Sequence, residues 1–181
     1  MRGVAFGLLA LVASDWAAAE TQEQSSVLYQ RAGEPYRVRH LATATAEYCF
    51  VEISDWPRGV TFGVQISSSN VIRVSVVAMA SMKPVPPDFQ RPASTIGLKV
   101  DVGGVEQSYG LTVTGPRADG NGFASAFAPP GAWGHLRSAL RSRDGFAVTI
   151  GEQLSLRFVV PETVAETFLE CSYGIPSRRR P

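Results

Sequence analysis

The stretch GVTFGVQISSSNVIRVSVVAM, residues 59–79, contains two apolar runs separated by polar residues. In the first run every second residue over 60–66 is apolar, so these side chains share one face of an extended chain. The second run, 71–79, is the most apolar of the strand-like runs and predicts a strand in the centre of a sheet. The repeat of two residues decides the fold class, because a helix would bring apolar side chains together at every third and fourth position.

Strand-like runs continue on both sides of this stretch. They are rich in β-forming residues, most of them alternate, and they cover 36–41, 47–53, 95–102, 105–113, 122–128, 146–150 and 154–160. The pair Gly103-Gly104 between two of them predicts a tight hairpin. The segment Lys83–Pro92 contains four prolines, which lack the donor that a central strand needs. It is therefore predicted to cross between two sheets or between two halves of one sheet.

Two segments in the C-terminal third have helical spacing. The segment 133–143 repeats apolar residues at intervals of three and four, and 161–172 begins with a proline, which the first turn of a helix tolerates. The apolar positions are Trp133, Leu136 and Leu140 in the first segment and Val164, Phe168 and Cys171 in the second. Many strands and few helices predict a mostly β protein: an antiparallel, β-sandwich-like single domain over residues 36–174, with one or two short helices near the C-terminus.

The first nineteen residues have the three parts of a secretory signal peptide. A basic Arg2 is followed by an apolar run over 4–13 and by small residues at 17–19. The alternative is an amphipathic N-terminal helix, although the run is apolar on all sides. A run of about ten residues is too short to cross a bilayer. We therefore expect a signal peptide over 1–19, a flexible leader over 20–35, and a periplasmic or secreted product with no transmembrane segment after cleavage.

The two cysteines, Cys49 and Cys171, are interpreted in the light of export. An oxidising compartment favours a disulfide bond between them. Two buried free thiols and an intermolecular bridge remain as alternatives. Two cysteines and two histidines are too few for a typical four-ligand zinc site, so no metal and no cofactor is expected.

Charge and motifs exclude several function classes. The sequence has 17 basic and 16 acidic residues, a net charge of +1 that provides no overall field for nucleic acid. It contains neither a Gly-x-Ser-x-Gly elbow nor a glycine-rich phosphate loop with lysine. The run 119–122 resembles the start of a calcium loop, but Pro130 stands where the last ligand belongs. The histidines, His40 and His135, have no marked partner, and no catalytic residue is assigned.

The densest run of charge lies at the C-terminus, where residues 175–181 are predicted to be a basic, disordered tail. Arg178, Arg179 and Arg180 are candidates for contact with lipopolysaccharide phosphates or with an acidic patch on a partner. The alternative is a solvated terminus without a ligand.

The second half of the sequence shows a succession of residue types over 120–172. It runs through Phe123, Phe127, Leu136, Leu140, the segment 145–148, the segment 156–160, Ala165, Phe168 and Cys171. This succession resembles the end of the invasion-associated locus B family of exported alphaproteobacterial proteins. The sequence departs from that family upstream, where a Trp-x-x-x-Cys-type segment is expected and Cys49 is the only cysteine. The resemblance implies a periplasmic or surface protein linked to host-cell association, without catalytic residues.

Together these observations predict an exported, non-enzymatic binding or accessory protein of a Gram-negative bacterium. Its partner would be a protein or an envelope component rather than a nucleic acid, and the oligomeric state is not predicted. One alternative is a small periplasmic hydrolase that uses His40 or His135. Another is a subunit or chaperone of a secreted assembly, for which an exposed apolar edge strand would be the sign.

Overall fold

Strands dominate the structure, a computed structural model that describes residues 24–79, 89, 91–116, 120–129, 131–152 and 154–175. The strands within these residues are β1 (Gln24–Gln30), β2 (Tyr36–Ala42), β3 (Glu47–Asp55), β4 (Val60–Ser67), β5 (Ile72–Ala78), β6 (Thr95–Val102), β7 (Val105–Pro116), β8 (Gly122–Phe127), β9 (Phe146–Ile150) and β10 (Leu154–Phe158). The helices are α1 (Ala132–Arg141) and α2 (Glu162–Gly174). Every strand and both helices predicted from the sequence are present, with ends that differ by a few residues.

The strands form one antiparallel sheet in the order β1-β2-β3-β4-β5-β8-β7-β6-β9-β10. The consecutive strands β6, β7 and β8 are neighbours, and β5 lies beside β8, which is a Greek-key arrangement. The chain therefore passes from β5 over the positions of β8 and β7 to reach β6. The predicted crossover thus connects two halves of one sheet, although residues 80–88 and 90 lie outside the described residues.

The sheet curls so that its inner face encloses the core. Phe62 on β4 is 1% exposed, and its ring centroid lies 5.9 Å from that of Phe146 and 6.4 Å from that of Phe158. Since the latter two belong to β9 and β10, opposite halves of the sheet pack against each other. The antiparallel, sandwich-like prediction is confirmed.

Both helices pack on the same inner face. Leu136 and Leu140 of α1, together with Val164 and Phe168 of α2, belong to the same buried cluster as the strand residues. Helix α2 begins one residue later than predicted, because the Pro161 carbonyl accepts from the backbone amides of the first turn and Pro161 itself stands before the helix.

The predicted disulfide is confirmed. Cys49 of β3 is bonded to Cys171 of α2, with the two Cα atoms 6.0 Å apart, and neither cysteine is a free thiol. The bond ties the last helix to the inner face of the sheet, since Cys49 is fully buried there.

One prediction is wrong. The leader predicted over 20–35 is not loose along Gln24–Gln30, where β1 pairs with β2 as an edge strand. Six of the seven side chains of β1 are exposed and only Tyr29 packs against the core, so no alternation of apolar and polar residues marks the strand in the sequence. A bulge between Val27 and Tyr29 interrupts its register. The predicted signal peptide over 1–19, residues 20–23 and residues 176–181 of the predicted tail lie outside the described residues. Ile175, the first residue of the predicted tail, is buried in the core rather than disordered.

Candidate functional site

The outer face of the central strands has two arginines that lie on aromatic rings. Arg39 of β2 lies 5.1 Å from the ring centroid of Phe50, and Arg73 of β5 lies 5.5 Å from that of Phe123. These side chains point away from the core because they alternate with buried residues of the same strands. We call this surface the arginine face, and it is defined by Arg37, Arg39, Phe50, Glu52, Gln65, Arg73, Phe123 and Phe127.

A groove of about 200 Å³ runs between the two arginine–aromatic pairs. Phe50 is opposite Gln65 in the strand register, and Gln65 is opposite Arg73, so the walls stand two strand spacings apart, about 10 Å. Gly63 lies in the floor. A Cβ atom added there would stand 2.7 Å from Ser75 Oγ, so the missing side chain leaves the depression open.

The charges on this face are unbalanced. Glu52 accepts a 2.6 Å hydrogen bond from Arg39 Nη2. Arg37, opposite Glu52 in the register, and Arg73 form no ion pair with any described carboxylate. The outward-facing residues of β2–β5 and β8 include these three arginines and one glutamate, an excess of two positive charges. The surface is therefore suited to an anion.

Arg73 is held in place by Ser125, which is buried beside it on β8. Its Nε and Nη2 atoms donate to Ser125 Oγ at 3.0 and 2.6 Å. A second ring, Phe127, lies 5.9 Å from the guanidinium. A guanidinium has five N–H donors, and two are used here, so the others remain for a ligand. This arrangement fixes the cation before any ligand arrives.

A second, more apolar cavity of about 450 Å³ opens at one end of the sheet, and we call it the end cavity. Ile66 and Ile72 form part of its floor, and Trp133 and Tyr173 part of its walls. The Tyr173 hydroxyl accepts a 3.0 Å hydrogen bond from Arg137 Nη1. The described residues of its lining include no Lys, Arg, Asp or Glu, which distinguishes the end cavity from the arginine face.

The two histidines are held by different elements and line neither cavity. His40 of β2 donates to Glu47 Oε2 at 3.1 Å, and both side chains are about a quarter exposed. His135 of α1 donates to the Val100 carbonyl at 3.0 Å. The sequence did not reveal the His40–Glu47 pair, because it depends on the register of β2 with β3. A histidine–carboxylate pair can move a proton. Ser26 of β1 stands opposite His40 in the strand register, and the Ser68 hydroxyl accepts a 3.3 Å hydrogen bond from the Glu47 amide, but among the described residues neither serine is hydrogen-bonded to His40.

The predicted contact residues Arg178, Arg179 and Arg180 lie outside the described residues. The arginine face was not predicted, although the alternation of Arg37 and Arg39 with Val38 already places both arginines on one side of a strand. Within the described ranges, no three His, Cys, Asp or Glu side chains come together as ligands for a metal ion.

Neither α1 nor α2 has the length and apolar character needed to cross a membrane, a finding that covers only the described part of the chain. Comparison of the sequence and structure with protein families, curated proteins and solved structures finds no match.

Proposed function

We propose that this chain is an exported, non-enzymatic binding or accessory protein that holds an anionic ligand of the bacterial envelope, or of a host surface, on its arginine face. One observation carries the proposal: Arg73 is fixed by Ser125 beside an open groove, and no described carboxylate neutralises it. A buried or half-buried arginine in a purely structural role is normally paired, because an unpaired charge is costly to desolvate.

Export is supported by the signal-peptide pattern over 1–19 and by the Cys49–Cys171 disulfide, which is typical of oxidising compartments. The proposed location is the periplasm or the cell exterior. Mass spectrometry of the protein recovered from the periplasm or medium should find an N-terminus at or near Glu20. Recovery there with Met1 still attached would contradict export.

The proposed link to host-cell association, and membership of the invasion-associated locus B family, rest on the resemblance over residues 120–172. Two residues of that resemblance, Phe123 and Phe127, flank Arg73 on the arginine face. A role for Phe123 and Phe127 in binding would explain why these two residues are part of the resemblance to the family.

A second candidate, a subunit or chaperone of a secreted assembly, is favoured by one observation. The edge strand β1 exposes Val27 and Leu28, which are 49% and 44% exposed. Its bulge weighs against this candidate, because bulges at sheet edges hinder pairing with another chain. The hydrolase alternative has less support, since His40 is paired with Glu47 away from both cavities.

The proposal is tested by sedimentation of the mature protein with purified outer-membrane fragments. The wild type should sediment with them, and Arg73→Gln should weaken the apparent affinity at least tenfold, because charge-assisted hydrogen bonds are worth about 1.5–3 kcal/mol. The matched control is Arg157→Gln on the outer side of β10, an exposed arginine far along the strand order. Equal binding by the wild type and Arg73→Gln would overturn the proposal, and so would loss of binding in His40→Ala.

A further inference from the structure

We infer that the ligand of the arginine face is an acidic saccharide, with its carboxylate or phosphate at Arg73 and a sugar ring in the groove beside Phe123. This inference rests on the proposed function and specifies the chemistry of its ligand.

Arg73 provides the position for the acid group of the ligand. Arg73 offers the donors that Ser125 leaves unused, and they lie at the edge of the groove. A planar guanidinium can bind the two oxygens of a carboxylate or phosphate with parallel hydrogen bonds. Arg39 at the opposite wall is already occupied by Glu52, so the described lining of the groove offers one open anion position rather than a row of them. A single acid group per binding site matches a sugar acid better than a polyanion such as a nucleic acid, which needs many phosphate contacts.

The walls and floor of the groove provide the position for the sugar ring of the ligand. A pyranose ring has an apolar face of C–H groups and a rim of hydroxyls. Phe50 and Phe123 supply half-buried aromatic surface on the two walls. Polar side chains line the floor between them, namely Thr61, Gln65 and Ser75. The groove therefore presents both apolar and hydrogen-bonding surface to a sugar ring, and the absence of a side chain at Gly63 makes the groove deeper.

The third step excludes an acidic peptide as the better match. An extended peptide is usually bound at a sheet edge, where its backbone N–H and C=O groups continue the ladder. The groove lies on the face of β3, β4 and β5, whose backbone groups are already paired with their neighbours. A peptide lying there would leave its own backbone groups with only a few side-chain partners. The hydroxyls of a saccharide, in contrast, need only side-chain partners.

The experiment is isothermal titration calorimetry of the mature protein at low salt with four probes. The first two are a short galacturonate oligosaccharide and a mannose 6-phosphate oligosaccharide, which separate carboxylate from phosphate as the acid group. The others are neutral dextran, which has sugar rings without charge, and polyglutamate, which has charge without sugar rings. Together they separate the contribution of the ring from that of the charge. We expect one of the acidic saccharides to bind at least tenfold more tightly than dextran and polyglutamate.

Two variants locate the binding. Arg73→Gln should weaken binding of the acidic saccharide about tenfold, and Phe123→Leu should weaken it while the charge is unchanged. Arg157→Gln should bind as the wild type does, and circular dichroism should show that all variants are folded. Polyglutamate binding as tight as that of the saccharides would overturn the inference in favour of an acidic polypeptide.

The two proposals can fail separately. If neither acidic saccharide binds while sedimentation with membrane fragments still depends on Arg73, the saccharide inference is wrong and the proposed function stands. If Arg73→Gln changes neither saccharide binding nor sedimentation, both are wrong.

Discussion

At Gly145 the backbone passes so close to a neighbouring strand that no side chain fits. Its φ is +78°, and an added Cβ would collide with the Phe158 carbonyl oxygen. Glycine is favoured shortly after the end of a helix, and Gly145 stands two residues after the segment 133–143 that the sequence predicts as the first helix. The structure adds a stronger reason for it, since the colliding atom belongs to the backbone of β10 and cannot rotate away.

Gly145→Ala is therefore expected to lower the free energy of unfolding by at least about 1–3 kcal/mol, the range for a residue forced into a disfavoured backbone region. The matched control is Gly134→Ala within α1, where no atom lies within 4 Å of the added Cβ. That change should raise stability by about 0.5–1 kcal/mol, because alanine is the better helix former. Urea unfolding measures both, and a Gly145→Ala protein as stable as the wild type would contradict the packing described.

Tyr109 of β7 is buried, and its hydroxyl is expected to affect stability at high pH. Burial raises the pKa of Tyr109 to about 12 from its usual 10.0, and its hydroxyl donates to Gln107 Oε1 at 3.0 Å. The unfolded chain loses this proton near pH 10, whereas the folded chain keeps it. The raised pKa therefore contributes stability that is complete below pH 10 and is lost as the pH rises from 10 towards 12.

The measurement compares the wild type with Tyr109→Phe by urea unfolding. The stability difference between them should be constant up to pH 10 and should then change by at most about 1.4 kcal/mol per pH unit, at the expense of the wild type. A difference that stays constant up to pH 11 would show that Tyr109 is not shielded from water.

Elements differ in how far the sequence determines them. Strands such as β4 and β5 alternate or are uniformly apolar, so their positions follow from burial on one face. Strand β1 could not be predicted, because six of its seven residues are exposed and only Tyr29 packs against the core, so that hydrogen bonds to β2 provide most of its contacts. The order in which the strands pair does not follow from the spacing of apolar residues in the sequence either. Arg73 and Phe123 meet only because β8 inserts between β5 and β7, which is why the sequence did not reveal the arginine face.

The Cys49–Cys171 disulfide joins helix α2 to strand β3 and should contribute to stability. Cys49 and Cys171 are 122 positions apart, and a bond that closes so long a loop removes much of the freedom of the unfolded chain. Replacing both residues by alanine should lower the free energy of unfolding by about 4 kcal/mol, with helix α2 losing its covalent attachment to β3. Peptide mapping without reductant should join the two cysteine peptides. Alkylation of both thiols in the folded, unreduced protein would contradict the bond.

For the whole molecule, the composition is a poor guide to the surface. The net charge of +1 excludes a strong overall field. The fold nevertheless gathers Arg37, Arg39 and Arg73 against a single Glu52 on one face, and it places the apolar end cavity elsewhere. Local charge, rather than net charge, is therefore what a ligand would meet.

If the arginine face binds the ligand, the backbone amides of that face should respond to the ligand in nuclear magnetic resonance spectra. A ¹⁵N-labelled protein is titrated with the galacturonate and mannose 6-phosphate oligosaccharides, and amide shifts are followed residue by residue. We expect saturable shifts at Phe50, Gly63, Arg73 and Phe123, with Trp133 unchanged. Shifts confined to the end cavity around Trp133, or no shift with either saccharide, would contradict it.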